Sequence, residues 1–154
     1  MRNLVLVTLL ILVGCGGGKT APDMVFEPLE QPGKKVALES FRGKVVLIDF
    51  WATWCAPCIE SMPFIQELFE EYGPKGLQII AITNESREVV KRFKLGGRFT
   101  YPIYIDPDSS AMEAFKVDGI PRTILIDEGG KILVDGHPMA EKENLKKNLD
   151  RLLK

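Results

Sequence analysis

Cys55 and Cys58 are separated by Ala56 and Pro57, and a pair at that spacing can close a small disulfide ring or open to a dithiol. The run before them, Lys44-Val45-Val46-Leu47-Ile48-Asp49-Phe50, reads as a buried β-strand. The run after them, Ile59 to Tyr72, reads as an amphipathic helix. The pair therefore falls where a strand ends and a helix begins. Helix N-terminal amides and the helix dipole stabilise an anion there, which lowers the pKa of the first thiol. The thiolate is the form that attacks disulfides, so the placement predicts redox chemistry. An inert structural disulfide and half of a zinc site are the competing readings. Zinc takes four protein ligands, or three and a water. The remaining candidates are Cys15 and the single histidine, His137, and neither has ligand spacing to the pair, so no metal is expected.

Cys55 is first in the motif and nearest the helix end. It is expected to be exposed and to act as the nucleophile. Cys58 lies inside the first turn, should be less accessible, and is expected to resolve the mixed disulfide. Pro57 sits where a first helical turn tolerates a missing N–H. With Ala56 it sets the local stiffness and electrostatics that tune the couple. Trp54 is expected to lie at the surface facing substrate, beside a Trp51 that reads equally well as core. Asp49 closes an otherwise apolar run. A buried carboxylate there has a raised pKa and could accept the Cys58 proton. The alternative is a partly exposed acid at a strand end, held by a lysine or a serine. His137, between Gly136 and Pro138, reads as a loop residue without a role.

Trp51-Ala52-Thr53-Trp54-Cys55-Ala56-Pro57-Cys58 resembles the active-site signature of the thioredoxin superfamily. Asp49, six residues before Cys55, matches that family's buried acid, and Pro63, five after Cys58, its helix-kinking proline. Gly119-Ile120-Pro121 matches the loop that carries a cis-proline opposite the disulfide. The Trp-Cys-x-Pro-Cys form, the segment Val36 to Lys44 and a mid-chain insert make the chain similar to the membrane-tethered TlpA/ResA-type reductases. The resemblance runs from Met24 to the C-terminus. It implies an α/β thioredoxin fold: a central mixed sheet flanked by helices, with an N-terminal β extension and a helix–strand insert over Glu85–Phe115. It also implies a cis Pro121, with Ile120 pairing its backbone to an extended substrate segment. Arg122 beside it would help choose the substrate or be only solvated.

For function, the resemblance implies reduction of protein disulfides, often those of apocytochrome c, with electrons from a membrane thiol donor. No cofactor is implied beyond the redox-active disulfide. Many members of that branch carry a glutamate at the position of Ser61; here Glu60 comes one residue early and would face another way. Two other functions compete. A peroxiredoxin-like peroxidase would want a lone peroxidatic cysteine in a Pro/Thr-rich loop. A copper-delivering chaperone of the same fold would want a wider cysteine spacing and a distant histidine.

The first residues indicate where the chemistry takes place. Arg2 supplies a short positive region, and Leu4 to Val13 is an apolar stretch too short to span a bilayer as a helix. It ends in Leu12-Val13-Gly14-Cys15, which looks like a bacterial lipobox with Cys15 lipidated. An ordinary signal peptide with an incidental cysteine is the alternative. Residues 1–14 are then a lipoprotein signal peptide, 15–23 a flexible glycine-led tether, and 24–154 the thioredoxin-like domain. Lipid chains hold a protein at a membrane because each buried CH₂ contributes on the order of 0.8 kcal/mol. Lipidation also resolves an odd count of three cysteines, leaving one reversible pair. The expected location is the bacterial cell envelope, anchored to a membrane and facing the extracytoplasmic side.

Removing 14 residues from 154 leaves about 140, enough for one domain with a real core. Twenty Lys and Arg against 21 Asp and Glu give a net charge of −1, so nucleic-acid binding has no electrostatic support. Strand and helix signals alternate. Strands are expected over Lys34–Leu38, Val45–Phe50, Leu77–Ile82, Tyr101–Ile105, Thr123–Ile126 and Lys131–Val134. Helices are expected over Ile59–Tyr72, Glu85–Leu95 with Val89, Val90 and Phe93 inward, Ser110–Phe115 and Ala140–Leu153.

Overall fold

The computed structural model describes residues 18–154, apart from Gly96, Arg98 and the side chain of Leu95. Cys15, residues 1–14 expected as a signal peptide and the start of the expected tether lie outside the described residues. The strands are β1 (Val25–Pro28), β2 (Val36–Ala37), β3 (Val46–Phe50), β4 (Gln78–Thr83), β5 (Ile103–Ile105), β6 (Arg122–Ile126) and β7 (Ile132–Gly136). The helices are α1 (Ala56–Tyr72), α2 (Arg87–Leu95), α3 (Ser110–Ala114) and α4 (Lys142–Leu152). Among the described residues the strands form one mixed sheet in the order β2-β1-β5-β4-β3-β6-β7. β3 runs parallel to β4, and β4 to β5; the remaining pairings are antiparallel. This is the thioredoxin architecture with its two expected additions.

β3 is central because it can be. Val46, Leu47, Ile48 and Phe50 are all buried, as a strand covered on both faces requires. Alternation divides the sheet into two cores. Leu47, Ile79, Ala81 and Leu125 pack under Met62, Ile65 and Leu68 of α1, Val90 of α2, and Leu145 and Leu149 of α4. Val46, Ile48, Phe50, Ile80 and Ile124 pack with Phe26 of β1 and with Ala111 and Phe115 at α3. Asp49, between Leu47 and Trp51, belongs to the α1 face.

The mid-chain insert joins the N-terminal hairpin to the core. β5 adds to β4 on one side and accepts β1 on the other. Arg87, the first residue of α2, donates from Nη1 to the carbonyls of Pro28 and Leu29 and from Nη2 to Glu27 at 3.1 Å.

Several boundaries differ from expectation, each for a local reason. β5 starts at Ile103 rather than Tyr101, because Pro102 has no N–H for the ladder. α2 starts at Arg87 rather than Glu85: Ser86 Oγ accepts the Val89 N–H at 3.4 Å, and the Glu85 carboxylate is engaged elsewhere. Its inner stripe is Val90 with Phe93, while Val89 is exposed. The strand expected over Lys34–Leu38 shrinks to Val36–Ala37, followed by a 3₁₀ turn at Leu38–Phe41. The stretch expected as tether does not run free to residue 23. Lys19 C=O accepts from Ile132 N–H and Ala21 N–H donates to Gly130 C=O, each at 2.9 Å, which pairs this segment with the β6–β7 hairpin.

Candidate active site at the end of strand β3

The chain leaves β3 at Phe50 and enters α1 at Ala56, and the turn between holds the cysteine pair. Trp51 N–H donates to Ile82 C=O at 3.0 Å, and Cys55 N–H to Ala52 C=O at 3.2 Å, which folds the loop back on itself. Cys55 is the N-cap of α1, with extended backbone, and its Sγ accepts the Cys58 N–H at 3.2 Å. Cys55 and Cys58 are joined in a disulfide, with their Cα atoms 5.2 Å apart. Pro57 stands in the first turn, where its missing donor leaves nothing unpaired.

Cys55 is not exposed as expected: it is 4% exposed and Cys58 1%. Its sulfur is turned inward to Cys58 and under the helix N-terminus, so Ala56, Pro57 and a 73%-exposed Trp54 form the outer surface of the site. Trp51 is core, buried against Phe93 with ring centroids 5.5 Å apart.

The Ile120–Pro121 bond is cis. Arg122 pairs with Phe50 at the end of β3, which brings the cis-proline loop to the same end of the sheet as the disulfide. Pro121 is buried and Ile120 half-buried against the core. Arg122 is not merely solvated. Its Nε and Nη2 donate to the two oxygens of Asp135 at 2.6 and 2.8 Å, and Nη1 donates to Lys116 C=O at 2.8 Å. The fork ties the loop to β7.

Asp49 is 2% exposed, which removes the reading of a partly exposed acid. Among the described residues no lysine or serine holds it. Its cross-strand neighbours are Ala81 and Thr123, and Thr123 Oγ1 donates to Oδ1 at 3.0 Å. Burial pushes its carboxyl up to about 7, against the lowering effect of the Thr123 hydrogen bond. Ser61 is buried and donates to Cys58 C=O at 2.8 Å, while Glu60 faces solvent. His137 is exposed and accepts the Met139 N–H on Nδ1 at 3.2 Å. Among the described residues no three His, Cys, Asp or Glu side chains converge as a metal site would require.

One participant had no signal in the sequence. Glu85, just beyond β4, accepts the N–H and the hydroxyl of Thr53, at 2.6 and 2.7 Å. Thr123 was missed too, although a polar residue on the inner face of a strand flanking Asp49 was a usable sign.

Residues 17–153 match the model of the Redoxin family. Over 136 residues the chain is 36% identical to the thiol-disulfide oxidoreductase ResA of Bacillus thuringiensis subsp. konkukian, covering 88% of this chain and 78% of that protein. It is 32% identical over 166 residues to ResA of Geobacillus kaustophilus, covering 99% of this chain and 94% of that one. Among solved structures, one from Chlorobium tepidum, provisionally assigned as thiol:disulfide interchange protein DsbE, superimposes with a TM-score of 0.78 at 30% identity, covering 89% of this chain and 97% of that one. The exposed lipoprotein thioredoxin Etrx1 of Streptococcus pneumoniae gives 0.71 at 26%, with 84% and 99% covered.

Proposed function

The chain belongs to the Redoxin family and is a thiol-disulfide oxidoreductase, and we propose that it reduces protein disulfides at the cell envelope with Cys55 as the attacking sulfur. The observation that carries this assignment is the Cys58 N–H aimed at Cys55 Sγ from the first turn of α1. In the dithiol form that amide and the helix dipole favour a thiolate on Cys55; among the described residues no N–H donates to Cys58 Sγ.

The reaction then has two displacements. Cys55 thiolate attacks one sulfur of the substrate disulfide, forming a mixed disulfide and expelling the other substrate sulfur as a thiolate. Cys58 gives up its proton and attacks Cys55 Sγ, which expels the second substrate sulfur. Two electrons pass from the dithiol to the substrate, whose two thiolates take up protons from solvent, and Cys55–Cys58 closes. We assign the Cys58 proton to Asp49, directly or through one water. Support comes from its position on the face that α1 covers and from a carboxyl titrating near neutrality. Trp54, Ala56 and Pro57 form the substrate-facing surface, and the Ile120–Pro121 backbone pairs with the substrate chain. No cofactor enters the scheme. A membrane thiol donor restores the dithiol, apocytochrome c is the substrate the resemblance favours, and lipid on Cys15 supplies the anchor; the lipoprotein thioredoxin among the structural neighbours is in keeping with it.

The test is a trap. Cys58→Ala, expressed in cells, should accumulate mixed disulfides through Cys55, because no resolving thiol remains. Accumulation by Cys55→Ala instead would reverse the two roles.

A further inference from the structure

The turn carrying the cysteines is fastened at a point that neither cysteine nor proline explains. Between Trp51, bonded to β4, and Cys55, bonded to Ala52, both donors of Thr53 go to one side chain: Glu85 Oε2 accepts the Thr53 N–H at 2.6 Å, and Oε1 accepts the Thr53 hydroxyl at 2.7 Å. The same carboxylate accepts from Thr83 Oγ1 at 3.4 Å, and Thr83 in turn accepts the Glu85 N–H at 3.3 Å. Thr83 is 1% exposed, so the clamp is built on the core end of β4. Among the described residues no ion pair neutralises Glu85. A fixed negative charge is thus held against a loop residue two positions before Cys55.

We propose that Glu85 is a positioning residue of the redox reaction, which holds the Trp51–Cys55 loop and opposes the thiolate on Cys55 so that the pair stays reducing. The inference rests on the oxidoreductase reading above. The sign follows from electrostatics. A nearby anion disfavours the thiolate, and a couple whose reduced form is stabilised less gives up its electrons more readily. Helix α1 pulls toward the thiolate and Glu85 pulls back. The carboxylate touches no reacting atom and acts through Thr53.

Two variants separate charge from geometry. Glu85→Gln keeps an acceptor for the Thr53 N–H and a polar partner for its hydroxyl, and removes the charge. Glu85→Ala removes both. In a glutathione redox buffer the equilibrium of Glu85→Gln should move toward the dithiol, by about threefold to tenfold relative to the native protein. Its kcat/KM for reducing a protein disulfide such as insulin should fall far less than that of Glu85→Ala. Glu85→Ala should show the same equilibrium shift and, in addition, lose on the order of tenfold in kcat/KM, because the loop is no longer held. An unmoved redox equilibrium in Glu85→Gln, or a shift toward the disulfide, overturns the proposal, as does a Glu85→Ala turnover equal to that of Glu85→Gln. The native protein measured in the same assays keeps the two readings apart: its failure to reduce insulin would sink the oxidoreductase assignment rather than the role of Glu85.

Discussion

Thr123 Oγ1 donates to Asp49 Oδ1 at 3.0 Å across the β3–β6 pairing, and the opposite neighbour of Asp49 on β4 is Ala81, which has nothing to offer it. A buried carboxylate with one hydroxyl partner and no cation is held near neutrality by desolvation, at about 7 against an ordinary 3.8. The folded chain therefore binds the proton more tightly than the unfolded chain does. Stability from this group is fully present below the ordinary value and is lost as pH rises toward 7. The difference amounts to on the order of 4 kcal/mol at most.

Asp49→Asn keeps the Thr123 hydrogen bond, because the amide oxygen still accepts, and removes the charge. It should raise stability at neutral pH and flatten the loss between about pH 4 and 7 seen in denaturant melts of the native protein. It should slow disulfide exchange most above pH 7, where the native carboxylate is ionised and can take a proton. Superimposable pH–rate profiles would leave Asp49 a structural residue only. A destabilised variant would mean the carboxylate has a partner that the Thr123 bond does not account for.

What the sequence made legible was local. The cysteine pair, its strand and helix, Asp49 and Pro121 sit within short segments whose residue types state their chemistry. The Glu85 clamp joins residues 32 apart in sequence, and nothing in Asn84-Glu85-Ser86 announces it. Cys55 looked exposed because its place at a helix end is visible in sequence, while the rotation of its sulfur toward Cys58 is not. Val89 and Val90 both looked inward, and a helix starting at Arg87 admits only one of them to the core. The pairing of β1 with β5 depended on where the insert strand lands, which hydrophobic periodicity does not encode.

Among the described residues, the Lys19–Ala21 segment that follows Cys15 in sequence and the cysteine pair lie at opposite ends of β3. The segment Lys19–Ala21 docks beside the turn that follows Ile126, which pairs with Val46 at the start of β3, while Cys55 lies beyond Phe50 at its end. Cys15→Ser should therefore abolish lipid labelling and move the protein out of the membrane fraction, and leave insulin reduction by the purified domain unchanged. Lipid incorporation that persists in Cys15→Ser would end the lipobox reading.

The Arg122–Asp135 fork ties the residue after the cis-proline to β7. It holds the Asp135 carboxyl below the usual carboxylate range. Its side chains are 17% and 27% exposed, so screening leaves it about 1 kcal/mol of stability. Because the folded pKa of Asp135 is depressed, that contribution is present above the ordinary carboxylate value and disappears as pH falls through the folded one. Arg122→Gln should lower stability by about 1 kcal/mol at pH 7 and by progressively less as pH falls below the ordinary carboxylate range and Asp135 takes up its proton. The same variant loosens the loop against which a substrate chain would lie. Its KM for a protein disulfide should rise severalfold, while its rate with glutathione disulfide, too small to use that edge, stays native. Equal losses with both substrates would show that the fork supports the disulfide itself rather than the substrate edge.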